Sequence, residues 1–304
     1  MSLPSLLSQA AAQAAAGQQY PSGCLYVVAT PIGNMADLSL RAVHVLGLVD
    51  AVGCEDTRVT AGLLTRLGLH KELLAVHEHN EARAAEQVVA RLQAGQRIAY
   101  VSDAGTPAVS DPGARLVAAV QAAGLRVMPL PGASAVAAAL SAAGDVHGSG
   151  YRFAGFAPPK PKAREAWLQA ELARGETTVL FEAPHRIEAL LQALAAAAPQ
   201  RRLTVCRELT KQFEQVVTLE GAAAPAWLAS DAQHLKGEFV LVLHAAPPAD
   251  VPADAVSERD AQVLRRLLEH LPVKAAVALA AELGSAPRNA LYALALSWRE
   301  DAED

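Results

Sequence analysis

From Cys24 to about Gly144 the chain alternates short apolar runs with stretches of helical spacing: "CLYVVAT", "DLSLRAVHVLGLV", "AVGCE", "VTAGLLTRLG", "RIAYV" and "ARLVAAVQAAG". Such alternation prescribes a mostly parallel sheet with crossover helices. A strand at "LRVMPL" and a helix from Ala133 close this first unit. After "DVHGSG" the pattern changes. Five strand-like runs ("YRFAGF", "TTVLFEA", "RLTVCREL", "EQVVTLEG", "GEFVLVLHA") enclose only two strong helix patterns, which favours a second α/β unit with more antiparallel pairing. The expected division is a flexible N-terminal extension over 1–23, α/β domains over 24–147 and 148–245, a proline-rich linker over 246–256 and a helical segment over 257–304.

Charge and cysteine usage narrow the setting. A formal net charge of −5 gives no whole-molecule attraction to a polyanion, so any nucleic-acid site must be a local basic patch. Cys24, Cys54 and Cys206 form no C-x-x-C pair and sit in or beside apolar runs, as small core residues of a reducing compartment do. The opening stretch has no cationic start and no sustained apolar segment, and no uncharged apolar run approaches the roughly 18–20 residues of a membrane span. The expectation is a cytoplasmic protein without a membrane partner.

Open α/β sheets bind ligands in the loops at the carboxyl ends of their strands. The richest such loop here is "VSDAGTPAVSDPG", Val101 to Gly113. Asp111 precedes Pro112 at the start of a helical pattern and reads as an N-cap with proline at the first helical position. Asp103 follows the strand directly and lies beside Gly105, whose missing side chain lets a ligand approach the backbone. With no Walker lysine and no G-x-G-x-x-G, a phosphate cradle is disfavoured; hydroxyls, an amine or a sulfonium suit a carboxylate better. Three other junctions are similar in kind: Pro31, Gly33 and Asn34 after the first strand, Glu55, Asp56 and Arg58 after the second, and Pro131, Gly132 and Ser134 at a helix start fit for an anion. Turn and cap chemistry explains each alone; together they suggest a small ligand carrying both signs of charge. His77 and His79 share a face if their segment is extended, but no third ligand has metal-site spacing, so no metal is assigned. Lys160, Lys162 and Arg164 form a local basic stretch.

With these loops in hand, the sequence resembles the tetrapyrrole methylase superfamily of S-adenosylmethionine-dependent methyltransferases. Within it, the chain is similar to the ribosomal RNA small-subunit methyltransferase I family, which methylates the ribose 2′-hydroxyl of a decoding-centre cytidine. The motifs are "LYVVATPIGN", "CEDTR", "HEHNE", "VSDAGTPAVSDPG", "PLPGASA", "FEAPHR", "RELTK" and "LKGEFVLV", in family order from about Cys24 to His244, followed by "VKAAVALAAELGSAPRNALY" in the tail. The alanine-rich start has no counterpart in the pattern.

The resemblance implies two α/β domains of the tetrapyrrole methylase type with the cofactor in the cleft between them, a small C-terminal helical segment, and a homodimer. Carried over by motif position, the S-adenosyl-L-methionine contacts fall on Pro31, Ser102, Asp103, Ala104, Ser134, Ala135, Phe181 and Glu182, joined by Gly105 from the loop reading. Small-subunit ribosomal RNA would be the partner, met by Arg58, Lys160, Lys162, Arg164, Arg186, Arg207 and Lys211; an internal salt bridge suits Arg58 or Arg207 equally well. A ribose hydroxyl is a poor nucleophile, so some group should take its proton. Glu55, Asp56, His79 and Glu182 are chemically able, and spacing does not choose among them. Two other functions share these residues: the same fold acting on a tetrapyrrole or another small molecule, and a non-enzymatic RNA-binding assembly factor.

Overall fold

The computed structural model describes residues 3–77, 79–247, 256–284 and 286–300. They form two compact units, split at Ala245. The first unit holds two sheets. Strands β1 (Cys24–Val28), β2 (Ala51–Cys54), β3 (Glu72–Ala75), β4 (Ile98–Val101) and β5 (Arg126–Leu130) pair in the order β3-β2-β4-β1-β5. Every pairing is parallel, as short apolar strands covered on both faces require.

Helices α2 (Leu40–Leu48) and α3 (Thr57–Arg66) cover one face of this sheet through Val45, Leu46 and Leu64; α4 (Glu81–Gln93) and α5 (Ala114–Ala122) cover the other through Val88, Leu92, Leu116 and Val120. The opening segment is not the flexible extension expected from its composition. Leu3–Ala15 forms helix α1, whose Ala11 is fully buried in the core cluster that contains α2. Small side chains let the helices approach closely, so an alanine-rich stretch that lacks bulky residues still buries a face.

The second sheet contains β6 (Tyr151–Phe156), β7 (Thr177–Glu182), β8 (Arg202–Arg207), β9 (Gln215–Glu220) and β10 (Phe239–Leu243), ordered β6-β7-β10-β8-β9. Only β6 and β7 are parallel; the remaining pairs are antiparallel. Helices α7 (Pro161–Ala173), α8 (Ile187–Ala197) and α9 (Ala224–Ala229) pack on one face. The other face receives α6 (Ala135–Ala143), which starts just beyond β5 of the first sheet and buries Val136, Ala139 and Ala143 against Val179, Cys206, Val240 and Val242. This helix ties the sheets together at the carboxyl ends of the first sheet's strands.

The second unit packs α10 (Glu258–Leu268), α11 (Val273–Leu283) and α12 (Arg288–Glu300) around Leu264, Val277 and Leu291. Ser257 caps α10 by accepting from the Asp260 amide, and the Asp260 carboxylate accepts from Ala286 N at 3.1 Å. A side chain at Gly284 would collide with that carboxylate, so the α11–α12 corner needs glycine. Most of the expected linker, 248–255, lies outside the described residues. No helix among those described is long and apolar enough to cross a membrane.

Candidate active site

Three loops meet at the carboxyl ends of β1, β4 and β5. Thr30 and Gly105 form a two-way backbone bridge, with N–H to O distances of 2.9 and 3.1 Å. The Thr30 hydroxyl donates to Ser102 O, the Ser102 hydroxyl to Gly105 O, and the Thr106 hydroxyl to Ala133 O. Gly105 has φ +82°, and a Cβ there would stand 3.2 Å from Ile32. At Gly132 a Cβ would come within 2.9 Å of the Ala29 Cβ, so the loop entering α6 rests directly on the end of β1.

Against these loops the second sheet presents the ends of β7 and β10, enclosing a cleft of about 380 Å³. Ala104, Gly105, Ser134 and Ala135 line one wall, Phe181 and Glu182 the other. Phe181 is braced edge-on by Phe153 and Phe156, at centroid distances of 4.8 and 5.8 Å. Ser134 caps α6, its hydroxyl accepting from Ala137 N at 3.4 Å. A rigid aromatic wall opposite a glycine-bared loop, in a volume within the range of about 300–1,000 Å³ usual for small-molecule sites, suits a ligand with a flat ring system and polar ends.

The structure does not bring every expected cofactor residue to this cleft. Pro31, Ser102 and Asp103 line a separate hollow of about 330 Å³ with Arg58 and Arg66. Thr30 lines this hollow and Gly105 the main cleft, so the bridge between them is the partition. The Asp103 carboxylate accepts from Asp56 N at 3.1 Å, which joins the β4 loop to the start of α3.

The proposed proton acceptors also separate. Asp56 is the N-cap of α3, accepting from Arg58 N at 2.8 Å, and its ion pair with Arg58 is 2.6 Å long. Hydrogen bonds from the Arg58 side chain and then from the Arg58 amide hold its pKa at about 2, which makes it a poor base. Glu55 and His79 do not line the cleft. The histidines are not aligned along a strand either: Asn80 Oδ1 accepts from His77 N and His77 O accepts from Asn80 N. Among the described residues no group of three or more His, Cys, Asp or Glu side chains could hold a metal. Glu182 lines the cleft, but its carboxylate is fully engaged. Oε1 accepts from Ala183 N at 2.9 Å and lies 3.0 Å from Arg186 Nε, while Oε2 accepts from Arg186 Nη2 at 3.2 Å.

The basic side chains divide as well. Lys160 and Lys162 are exposed and Arg164 half-buried at the start of α7. Arg58 is exposed but pinned to Asp56. Arg186 is half-buried and Arg207 buried, and both are turned to partners within the protein, for Arg207 the internal alternative to an RNA contact. Arg186 bonds Ala157 O besides Glu182; Arg207 is 5% exposed and donates to Lys236 O, Phe213 O and Gln215 Oε1. Lys211 is likewise committed, its ammonium 2.8 Å from both Glu208 and Glu238.

One cleft residue was assigned another role from sequence. Asp111 does not cap α5: that helix begins at Ala114 behind Gly113, whose φ is +126°. The capping acceptor is the buried Glu81 at the start of α4, whose Oε1 takes the amides of Gly113, Arg115 and Leu116 at 3.0, 3.0 and 3.3 Å. Asp111 is thereby released to the cleft wall, half-buried. Burial raises its pKa, the Asp103 charge adds to the rise, and a hydrogen bond with Ser102 partly offsets it.

Two sheets joined through α6, with an aromatic and loop-lined cleft between them, define a tetrapyrrole methylase, and the family model described as Tetrapyrrole (Corrin/Porphyrin) Methylases matches residues 24–224. A second model, described as the RsmI C-terminal HTH domain, matches residues 254–299. Ribosomal RNA small subunit methyltransferase I of Neisseria meningitidis serogroup B is 45% identical over 277 residues, covering 91% of this chain and 94% of the relative; that of Escherichia coli O157:H7 is 44% identical over 277 residues, covering 90% and 95%. The chain belongs to the ribosomal RNA small subunit methyltransferase I family, within the tetrapyrrole methylases. Among solved structures, a cobalt precorrin-4 methyltransferase of cobalamin biosynthesis shares the fold at TM-score 0.55 and 18% identity, covering 76% of this chain and 100% of its own. A Thermus thermophilus uroporphyrin-III C-methyltransferase, solved as its S-adenosyl homocysteine complex, does so at TM-score 0.50 and 16% identity, covering 72% and 96%.

Proposed function

We propose that this methyltransferase moves a methyl group from S-adenosyl-L-methionine to the ribose 2′-oxygen of a cytidine in the decoding region of small-subunit (16S) ribosomal RNA. The observation that carries this reading is the family likeness along nine-tenths of the chain. The cleft supports it: its open backbone at Gly105, the Phe181 wall and the α6 N-terminus match a ligand combining a purine, a cation and a carboxylate. When bound, that cofactor supplies an electrophilic methyl on a sulfonium.

The remaining work belongs to the chain. Ala104, Gly105, Ser134, Ala135, Phe181 and Glu182 hold the donor, and Pro31, Ser102 and Asp103, across the Thr30–Gly105 bridge, support the same loops from the neighbouring hollow. Alignment and exclusion of water supply most of the rate in a displacement that neutralises charge. Lys160, Lys162 and Arg164 provide the local basic contact that a chain of net charge −5 needs. The two lobes divide near 147, and the protein acts as a cytoplasmic homodimer.

The test is transfer of a labelled methyl from S-adenosylmethionine to purified small subunits, to protein-free ribosomal RNA and to a precorrin, followed by digestion and mapping. Label on a cytidine ribose in the subunits supports the proposal; label on a base, on the precorrin or on nothing overturns it.

A further inference from the structure

The cleft is sparing in acid–base groups. Its lining contains no histidine, lysine, tyrosine or cysteine, and its titratable side chains are Asp111, Glu182 and Glu238. Glu182 has both oxygens engaged by Arg186 and a backbone amide. Glu238 is 80% exposed and paired with Lys211 at 2.8 Å. Asp111 is half-buried, and among the described residues neither arginine nor lysine pairs with it. A carboxylate takes a proton more readily when no cation stabilises its charged form.

Its placement is built rather than incidental. Glu81 carries the capping duty of α5, Pro112 fixes the chain behind Asp111, and three residues ahead Ala108 sits at φ 64°, a conformation side-chain-bearing residues rarely adopt. The loop is held in that shape while Asp111 makes no helix-capping bond. The groups around it are Ser102 and Asp103 of its own loop, Tyr100 on β4, Glu81 below, and Glu182 and Glu238 across the cleft with their cations Arg186 and Lys211.

We infer that Asp111 is the catalytic base that accepts the proton of the ribose 2′-hydroxyl. This rests on the ribose-methylating function proposed above. As the 2′-oxygen forms its bond to the methyl carbon, its proton passes to the Asp111 carboxylate. The carbon–sulfur electron pair stays on sulfur, which leaves as a neutral thioether, and the Asp111 carboxylic acid then releases its proton to solvent. Atoms and charge balance without another reactant.

The experiment compares wild type, Asp111→Asn and Asp111→Glu in the full-length protein. Its measurements are single-turnover methyl transfer to small subunits from pH 5 to 8.5, calorimetric titration with S-adenosylhomocysteine, and a carbon-13 carboxyl titration of the protein alone. Expected is a fall of about 10²–10⁴-fold in the transfer rate for Asp111→Asn. S-adenosylhomocysteine affinity should stay within about twofold of wild type, which also certifies folding, while the acid limb of the wild-type pH profile disappears; glutamate should restore part of the rate. The carbon-13 titration should lose one carboxyl resonance that titrates above the ordinary aspartate range. A wild-type rate in Asp111→Asn, loss of S-adenosylhomocysteine affinity in place of rate, or an acid limb that survives the substitution would overturn the assignment. Wild-type label landing anywhere other than ribose overturns the functional reading, and the inference with it.

Discussion

On the second-sheet wall of the cleft, Glu182 and Glu238 each face a cation, Arg186 and Lys211, whereas on the first-sheet wall the polar groups are backbone amides, a serine cap and Asp111 without a counter-charge. A matched carboxylate is a fixed dipole that can orient a ligand. An unmatched one keeps chemical freedom at some cost in stability. The two walls of one cleft thus differ in whether their carboxylates are matched, and the helix caps show how. The first lobe uses Glu81 for structure so that Asp111 need not serve there.

The sharpest way to break this contrast is Arg186→Leu, which strands the buried Glu182 without its partner and should destabilise by about 3–5 kcal/mol in urea unfolding. The double variant Glu182→Leu with Arg186→Leu should recover much of that loss, because no lone charge remains. If the single and double variants unfold alike, the second wall is not organised around this pair.

Next in size is Glu81→Ala, which leaves the first turn of α5 without its acceptor and should cost about 2 kcal/mol. Glu81→Gln keeps one acceptor oxygen and should lose less; equal losses would show that the charge, not the acceptor, holds the helix.

A smaller effect lies behind the second sheet. His244 is buried against Thr204, 2.8 Å from its hydroxyl, and burial lowers its pKa from 6.5 despite the nearby Asp145. The unfolded chain therefore binds this proton more readily than the folded one, so stability is full above pH 6.5 and is lost as pH falls through that value toward the folded-state pKa. Thermal unfolding across this range should show the loss in wild type and less of it in His244→Gln.

Least disturbing to the fold is the combined change of Lys160, Lys162 and Arg164 to alanine, expected to shift stability by about 0.5 kcal/mol for each exposed site or less. Its signature is in RNA binding: the slope of log affinity against log salt should flatten by ~0.7–0.9 for each phosphate that the variant no longer neutralises. An unchanged slope would put the RNA surface elsewhere.

How much of this was legible in the sequence depended on the range of the interaction. The β4 strand, its acidic loop and the glycines at 105 and 132 were legible because turn and close-approach chemistry is local. The Asp-Pro pair at 111–112 was misread for the same reason. The local rule was sound, but the cap came from Glu81, 32 positions away from Gly113 in the chain. Arg207 suited an RNA contact and an internal salt bridge equally, and part of what decides between them, Lys236 O, lies 29 positions away in the chain. Helix α1 was missed because alanine carries almost no periodic signal, even where close packing against α2 decides its fate.

Lys211 also bears on kinetics. Its two ion pairs, to Glu208 and Glu238, both lie within the second lobe, while its aliphatic stem crosses the first lobe at Gly33, where a Cβ would meet Lys211 Cγ at 2.5 Å. Parting the walls at this contact slides hydrocarbon off a bare peptide and leaves both ion pairs of Lys211 intact. Opening at this contact should therefore be nearly indifferent to ionic strength, whereas RNA affinity through the basic stretch proposed at Lys160, Lys162 and Arg164 should fall as salt is added.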